Sequence, residues 1–188
     1  SLEIKMDGDD ANMQVTMRVK NISDRSKEFS VWGISVSETG GTLVIPMNTN
    51  DTGLLPNRII SVWPYTDMSN DRIYFGDKYA TLRQDGKYTR PIKLGFDLNC
   101  GTVYYCLGND IFRKSYDTNH PTGKYPDGGC SFETYTNENM IEVESLGELK
   151  TVKPGEISSL TESGSLYKNP CETDFKNDKS IDEMLSKL

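Results

Sequence analysis

The chain has 188 residues, of which 35% are hydrophobic and 10% aromatic, and its formal net charge is −7. These values are sufficient for one domain with a hydrophobic core, and they exclude a disordered chain. The negative charge disfavours nucleic acid and an anionic membrane surface as partners, because both are bound through basic faces. The longest apolar runs are only a few residues long, which predicts no membrane span and no signal peptide.

The first strands are predicted near the N-terminus. Apolar residues alternate with polar ones from Met13 to Val19, which predicts a strand with one buried face. A polar turn follows at residues 21–26, and residues 29–36 predict a second strand antiparallel to the first. Gly40-Gly41 predicts a tight turn before a strand at residues 42–45.

Short strand-like runs continue through the rest of the chain, separated by turn residues at intervals of about 8–12 residues. A long polar loop at residues 117–129 carries the single histidine, His120. About a dozen short strands of this kind are typical of an all-β antiparallel sandwich. The further predicted strands are residues 59–62, 72–75, 79–82, 92–96, 103–107, 111–116, 131–135, 140–145, 148–152 and 158–165.

The C-terminus departs from this pattern. Ser180 and Glu183 form a capping box, and the apolar residues that follow have helical spacing, which predicts a short amphipathic helix at residues 180–188. We expect its apolar stripe to dock on the sandwich, on a partner chain or on a further segment. The predicted organisation is a sandwich domain over residues 1–168, with a polar linker and the helix over residues 169–188.

The cysteine and histidine content limits the possible chemistry. Four cysteines (Cys100, Cys106, Cys130 and Cys171) fit no zinc-ribbon spacing, and we expect them to be reduced and at least half-buried. Reduced thiols favour a cytoplasmic location, with secreted and periplasmic locations as alternatives. A single histidine excludes a multi-histidine metal site, and no phosphate-binding glycine loop or nucleophile elbow is present. We expect neither a metal nor a cofactor.

Two glutamates are candidates for chemistry. Glu142 and Glu144 lie two positions apart in the predicted strand at 140–145, so their side chains share one face. One interpretation is the solvent side of an antiparallel strand. The other is a concave face on which a carboxylate with a raised pKa serves as a general base.

Aromatic residues near strand ends are typical of sugar sites, because flat rings stack on the C–H faces of a sugar while polar groups bond its hydroxyls. Trp32, Trp63, Tyr65, Tyr125 and Tyr135 have such positions, with core or rim packing as the alternative, above all for Trp32. Arg72 and Lys114 are candidate clamps for hydroxyl or carboxylate groups, or else surface charges. Asp127-Gly128-Gly129 predicts a turn with positive φ at a glycine.

Several longer motifs resemble an uncharacterised bacterial family with the galactose mutarotase-like fold. The main ones are YPDGGCSFETY at residues 125–135, MIEVESLG at 140–147 and VKPGE at 152–156. Residues 32–41, 55–58, 63–67 and 111–114 are similar to the same family. The resemblance covers most of residues 10–168, which would be the C-terminal two-thirds of such a fold.

The resemblance implies a large antiparallel sandwich with a sugar-binding concave face. In the related aldose 1-epimerases a glutamate acts as base and a histidine as acid. Glu144 is the best counterpart of that base and Glu142 the second, whereas no histidine stands near Trp32, where the acid is expected. His120, Lys114 or a tyrosine would have to replace it. The residues expected to bind the sugar are Trp63, Tyr65, Arg72, Lys114, His120, Asp127 and Glu133.

The family members also carry a sizeable segment before the part that begins here. The chain starts at Ser1-Leu2 without an initiator Met, so we expect it to be processed, or to be a piece of a larger protein. Strands missing from a sandwich leave open edges, which a homodimer or the C-terminal helix would cover. We therefore expect a carbohydrate-binding domain whose partner is a small sugar. The alternatives are a sugar epimerase with a glutamate base and a non-catalytic structural or assembly module.

Overall fold

The structure is a computed structural model that describes residues 1–6, 11–119 and 122–188. These residues form fifteen strands and one helix. The strands are β1 Leu2–Met6, β2 Asn12–Lys20, β3 Lys27–Phe29, β4 Trp32–Ser37, β5 Thr42–Pro46, β6 Ile60–Val62, β7 Ile73–Phe75, β8 Tyr79–Arg83, β9 Ile92–Phe96, β10 Thr102–Leu107, β11 Asp110–Tyr116, β12 Phe132–Thr136, β13 Ile141–Leu146, β14 Lys150–Val152 and β15 Ile157–Lys168, and the helix is α1 Asp178–Leu185.

Two antiparallel sheets form the sandwich. The larger sheet has eight strands in the order β1-β2-β15-β11-β10-β5-β8-β7, and the smaller has five in the order β4-β13-β12-β9-β6. A further, two-stranded sheet pairs β14 with β3. The prediction of an all-β antiparallel sandwich is confirmed.

The main core lies between the two large sheets, as expected for strands that alternate apolar and polar residues. Strand β9 illustrates the pattern, because Ile92, Leu94 and Phe96 point inward and are each 1% exposed. The inward residues of β12, β13, β10 and β5 complete this core. They include Phe132, Ile141, Val143, Val103, Tyr105, Leu43 and Ile45.

A second apolar cluster covers the outer face of the eight-stranded sheet. Helix α1 buries Ile181 and Met184 against Val44, Tyr79 and Ile111 of that sheet. The helix therefore docks on the sandwich, the first of the three expected alternatives. It lies over the middle strands of this sheet, away from β1.

The helix begins earlier than predicted. Its N-cap is Asn177, whose side chain accepts a hydrogen bond from Lys179 N, and no cap forms at Ser180. Ser180 lies inside the first turn, where its hydroxyl accepts from Asp174 N at 2.9 Å. Asparagine caps helices as well as serine does, so the local pattern permitted either start.

The predicted second strand is divided between two sheets. Residues 27–29 pair with β14 and residues 32–37 pair with β13, whereas β2 pairs with β1 and β15. The predicted antiparallel pairing of the first two strands is therefore wrong. The break lies at Ser30 and Val31, where Ser30 Oγ donates to Gly147 O at 2.6 Å and Val31 is buried in the core.

The four cysteines are free thiols. Cys106 and Cys130 are buried and Cys171 is half-buried, as expected, but Cys100 is exposed. The helix in the described part of the chain has neither the length nor the apolar character needed to cross a membrane.

Candidate functional site

The outer face of the five-stranded sheet carries a group of charged side chains. Strand alternation points Lys93 on β9, Glu133 on β12 and Glu144 on β13 away from the core, and Glu133 and Glu144 are paired directly across neighbouring strands. Lys93 is paired with Tyr135, two residues along β12 from Glu133. Its long side chain can therefore reach both carboxylates diagonally.

Lys93 is the centre of this group. Its Nζ lies 2.8 Å from Glu133 Oε2 and 3.0 Å from Glu144 Oε2. The same atom lies 4.9 Å from the ring centroid of Trp32 and 5.1 Å from that of Trp63. Burial alone would lower the pKa of Lys93, but its hydrogen bonds to the two glutamates outweigh burial and raise that pKa. The lysine is thus a fixed cation between two carboxylates and two indole rings.

The loop after β6 places Trp63 over the lysine. Thr66 Oγ1 donates to Lys93 O and accepts from Lys93 N, both at 2.9 Å. Thr66 N also donates to Trp63 O at 2.9 Å, which closes the turn. These bonds attach the Trp63 turn to the backbone of Lys93. Backbone hydrogen bonding therefore fixes the position of the Trp63 ring over the Lys93 side chain.

The two glutamates have different environments. Glu144 is 0% exposed, and both of its oxygens are bonded, because Oε2 accepts from Trp32 Nε1 at 2.9 Å and Oε1 lies 3.3 Å from Lys93 Nζ. Glu133 is 1% exposed, and its Oε1 has no hydrogen-bond partner in the described structure. Burial, together with the neighbouring carboxyl group of Asp127, raises the pKa of Glu133 to about 7 against the opposing effect of Lys93. Glu133 is therefore the carboxyl group able to gain or lose a proton near neutral pH.

Lys93, Glu133 and the two tryptophans line a cavity of about 290 Å³, here called the Lys93 pocket. One wall is the loop before β12, in which Asp127, Gly128 and Gly129 all have positive φ values, of 50°, 85° and 110°. The predicted turn with positive φ is confirmed, and it extends over three residues. Ser61 Oγ donates to Asp127 O at 2.6 Å and so fixes this wall. The residues lining the pocket are Ser30, Trp32, Trp63, Lys93, Pro126, Asp127, Glu133 and Leu146.

A second group of residues extends the site beyond the pocket. Tyr65 and Tyr135 stack edge to face, with ring centroids 6.5 Å apart. Glu142 is paired with Tyr135 across the strands and is half-buried. Burial, together with the neighbouring charge of Glu144, raises the pKa of Glu142. The outer face thus carries an aromatic and acidic surface next to the Lys93 pocket.

The chain resembles solved structures across most of its length. It superimposes with a TM-score of 0.54 and 10% identity on an aldose 1-epimerase candidate from Escherichia coli K12, covering 84% of this chain and 57% of that one. A similar candidate from Klebsiella pneumoniae subsp. pneumoniae MGH 78578 gives a TM-score of 0.57 with 10% identity, covering 99% and 48%. The Slr1438 protein of Synechocystis sp. PCC 6803 gives a TM-score of 0.52 with 14% identity, covering 88% and 53%.

The chain has a galactose mutarotase-like fold. It spans about half the length of the solved structures that it matches. No family model matches the sequence, and no curated protein matches it. At identities of 10–14% the likeness concerns the fold alone.

Within this mutarotase-like fold, most of the predicted site residues come together. Glu144, Glu133, Trp63 and Asp127 belong to the Lys93 pocket or contact its lysine, and Glu142 and Tyr65 lie on the adjoining surface. Their roles in binding or catalysis stay predictions. His120 lies outside the described residues.

Two predicted residues lie elsewhere. Arg72 is 1% exposed, and its guanidinium bonds to Asn70 Oδ1 and Arg90 O and lies 4.5 Å from the ring centroid of Tyr88. Lys114 is also 1% exposed and lies between the two sheets, where its Nζ is 2.8 Å from Glu162 Oε1. Neither side chain lines the Lys93 pocket.

Sequence reasoning missed Lys93 and undervalued Trp32. Lys93 lies between two core residues of β9, a position that local alternation assigns to solvent. Trp32 is expected from the sequence in the core or at a rim, yet it is 51% exposed and its indole N–H bonds to Glu144. The sequence contains one signal for this site. Lys93 is a single charged residue in a strand that is otherwise apolar.

Proposed function

We propose that the Lys93 pocket binds a small sugar. The observation that supports this proposal best is the unpartnered Glu133 Oε1, buried at a pocket that Trp32 and Trp63 also line. A buried acceptor without a partner costs about 1–3 kcal/mol, so a ligand that donates a hydrogen bond to it gains that energy. A sugar hydroxyl is such a donor, and the sugar's C–H faces suit the two indole rings.

The size of the pocket favours a small ligand. Ligand pockets usually have volumes of about 300–1,000 Å³. At about 290 Å³ the Lys93 pocket lies just below this range, which suits one sugar unit better than a chain of them. The presence of a pocket beside Glu144, in place of a flat face, also favours binding over a purely structural module.

The test uses the tryptophans as an internal probe. The chain has two tryptophans, and both lie at the Lys93 pocket, so the intrinsic fluorescence of the whole protein reports on this site. We expect a saturable change in emission when the protein is titrated with at least one member of a panel of neutral monosaccharides. Glu133→Gln should weaken binding of that sugar about tenfold, because an amide presents a donor as well as an acceptor.

The control is Glu172→Gln, a change of the same kind at an exposed position away from the pocket. It should bind the sugar as the parent protein does. An absence of any emission change across the panel, with calorimetry also flat, would overturn the proposed function. Equal weakening by the two variants would mean that the sugar binds elsewhere.

A second candidate function is proton transfer to the bound sugar, as in an aldose 1-epimerase. The specific support is the pKa of Glu133, raised to about 7, together with a buried oxygen that has no hydrogen-bond partner in the described structure. Glu144 is less suited to this role because Lys93 and Trp32 hold both of its oxygens. Glu133, not the predicted Glu144, is therefore the better candidate for the base.

Polarimetry tests this candidate. We expect freshly dissolved α-D-glucose or α-D-galactose to reach anomeric equilibrium faster with the protein than without it, with a rate that rises as pH passes through about 7. Glu133→Gln should abolish the acceleration. A protein that binds sugar without accelerating anomerisation would retain the first function and exclude the second.

A further inference from the structure

The carboxyl groups at the Lys93 pocket outnumber its cations. Glu133 and Asp127 line the pocket, and Glu144 lies beside it against Lys93. Among the described residues that line this pocket, Lys93 is the one lysine or arginine. Its Nζ lies 2.8 Å from Glu133 and 3.0 Å from Glu144, but one ammonium group balances the charge of only one carboxylate. Three carboxyl groups therefore share a single positive charge.

The backbone holds Asp127 at the wall of the pocket. Its φ of 50° lies in the left-handed region, which aspartate adopts more readily than most residues. Its carbonyl oxygen accepts from Ser61 Oγ at 2.6 Å and from Cys130 Sγ at 3.2 Å. Within the described part of the chain, no lysine or arginine forms an ion pair with its carboxylate. Asp127 thus contributes a negative charge that the described residues do not neutralise.

Glu133 and Asp127 form a pair of neighbouring carboxyl groups. Besides burial, the proximity of Asp127 helps to raise the pKa of Glu133. Two ionised carboxyl groups are both acceptors and repel each other, so such a pair is stabilised by a shared proton or by a cation between the two groups. Glu133 is 1% exposed and its Oε1 has no hydrogen-bond partner in the described structure, so this oxygen gains most from a donor that carries positive charge.

The aromatic walls of the pocket favour the same kind of group. Trp32 and Trp63 both line the pocket, and the faces of indole rings attract cations. Trp32 is 51% exposed, so its ring is only partly covered by the protein. A phosphate or carboxylate group on a ligand would instead meet the negative charges of Glu133 and Asp127. The pocket therefore selects for positive charge and against negative charge.

We propose that the sugar bound at the Lys93 pocket is an amino sugar, whose ammonium group lies between the carboxylates of Glu133 and Asp127. This inference rests on the proposed function and adds the class of sugar to it. The ammonium group donates to Glu133 Oε1 and supplies the positive charge that the carboxyl pair lacks. A neutral sugar supplies the hydrogen bond without the charge, so it binds more weakly, and a sugar phosphate adds a repelled charge and binds most weakly.

The test compares D-glucosamine with D-glucose, and D-galactosamine with D-galactose, in titrations at pH 7 followed by tryptophan emission. The two members of each pair differ only in an ammonium group that replaces a hydroxyl on the second carbon. In at least one pair the amino sugar should bind about tenfold more tightly than the neutral sugar, because a charge-assisted hydrogen bond replaces a neutral one. The matching N-acetylated sugar carries an uncharged amide at that carbon and should lose this advantage. D-glucose 6-phosphate should bind more weakly than D-glucose.

Asp127→Asn separates the ammonium group from the rest of the sugar. Asparagine adopts positive φ as aspartate does, so the turn and the fold should be retained, which the urea midpoint checks. The variant should weaken binding of the amino sugar about tenfold and leave binding of the neutral sugar unchanged. The matched control is Asp117→Asn, at an exposed position that does not line the pocket, and it should bind both sugars as the parent protein does. Added salt should weaken binding of the amino sugar alone.

The outcomes separate this inference from the function on which it rests. Saturable binding of neutral sugars, with amino sugars binding no more tightly, would overturn the inference and leave the proposed function intact. A preference for amino sugars that Asp127→Asn does not reduce would overturn it as well, because the ammonium group would then lie away from the carboxyl pair. An absence of binding by every sugar would overturn both.

Discussion

Lys93 and Lys114 are both lysines buried against glutamates in the same sandwich, but they lie on opposite sides of the five-stranded sheet. Lys114 extends from the eight-stranded sheet into the space between the sheets, where it meets Glu162, also of that sheet. Lys93 points outward from the five-stranded sheet into a pocket. A lysine–glutamate ion pair is therefore enclosed between the sheets at Lys114 and lies beside an open pocket at Lys93.

The closed site is fully satisfied. Lys114 Nζ donates to Val143 O at 2.9 Å, to Ser35 Oγ at 3.1 Å and to Gly33 O at 3.2 Å, in addition to its ion pair with Glu162. Ser145 Oγ donates to the same glutamate. A Cβ at Gly33 would collide with the Glu162 carboxylate, so only glycine allows this approach. Burial lowers the pKa of Lys114 in spite of Glu162.

The open site is not fully satisfied. Glu133 Oε1 lacks a partner, and the two tryptophan rings that surround Lys93 leave a cavity beside it. A buried polar group without a partner costs stability unless something supplies the missing bond. The cluster around Lys114 thus joins the sheets, whereas the cluster around Lys93 leaves a buried acceptor without a partner beside a cavity, the two features that support the proposed sugar site.

Lys114→Met should have the largest effect on stability. It leaves the Glu162 carboxylate buried without its cation, and breaking a buried ion pair in this way costs about 3–5 kcal/mol. Urea unfolding followed by circular dichroism measures the loss. Lys114→Met combined with Glu162→Gln removes both charges and should regain a large part of it. If Lys114→Met is as stable as the parent protein, the cluster around Lys114 does not stabilise the contact between the sheets.

Lys93→Met should cost less, about 1–3 kcal/mol. Glu144 keeps its bond from Trp32 Nε1, and Glu133, whose pKa is already raised to about 7, can take up a proton when its cation is removed. The variant should also change tryptophan emission, because the ammonium group lies over both rings. Lys150→Met, at a side chain that is 53% exposed, is the matched control and should change neither property. A loss of stability as large as that of Lys114→Met would mean that the two clusters contribute equally to stability, which would contradict the distinction drawn between them.

Local patterns predict the strands well because side-chain alternation is a property of each strand alone. Strand β9 is predicted at residues 92–96 and occupies those residues, and Glu142 and Glu144 share a face as their spacing requires. Partners between strands are less predictable. Residues 29–36 alternate like one strand, yet tertiary contacts divide them between two sheets.

The candidate site is only partly predictable for the same reason. Lys93 reaches Glu133 and Glu144 through the register of three strands, and register depends on pairings between distant parts of the chain. Arg72 and Lys114 are charged residues in strand-like runs, but alternation does not tell which face of a strand meets solvent. The motif at residues 125–135 does lead to the site, since its loop and strand supply Asp127 and Glu133.

Glu133→Gln should give the smallest effect and the most specific one, a change in how stability depends on pH. The pKa of Glu133 is raised to about 7 in the folded protein from 4.5, so between these values the folded state holds a proton that the unfolded state has lost. Stability conferred by this group is therefore present at low pH and falls as pH rises through 7. We expect the free energy of unfolding of the parent protein to drop by about 1 kcal/mol from pH 6 to pH 8 relative to Glu133→Gln, which has no such proton to lose.

Urea titrations of both proteins at pH 6, 7 and 8 measure this difference, with Glu172→Gln as the control that should follow the parent. The pH range brackets the raised pKa of Glu133, so the drop should be larger from pH 6 to pH 7, where the folded protein still holds the proton, than from pH 7 to pH 8. Parallel pH profiles for the parent and Glu133→Gln would show that Glu133 is ionised throughout this range. A raised pKa of Glu133 would then no longer distinguish the open cluster around Lys93 from the closed cluster around Lys114.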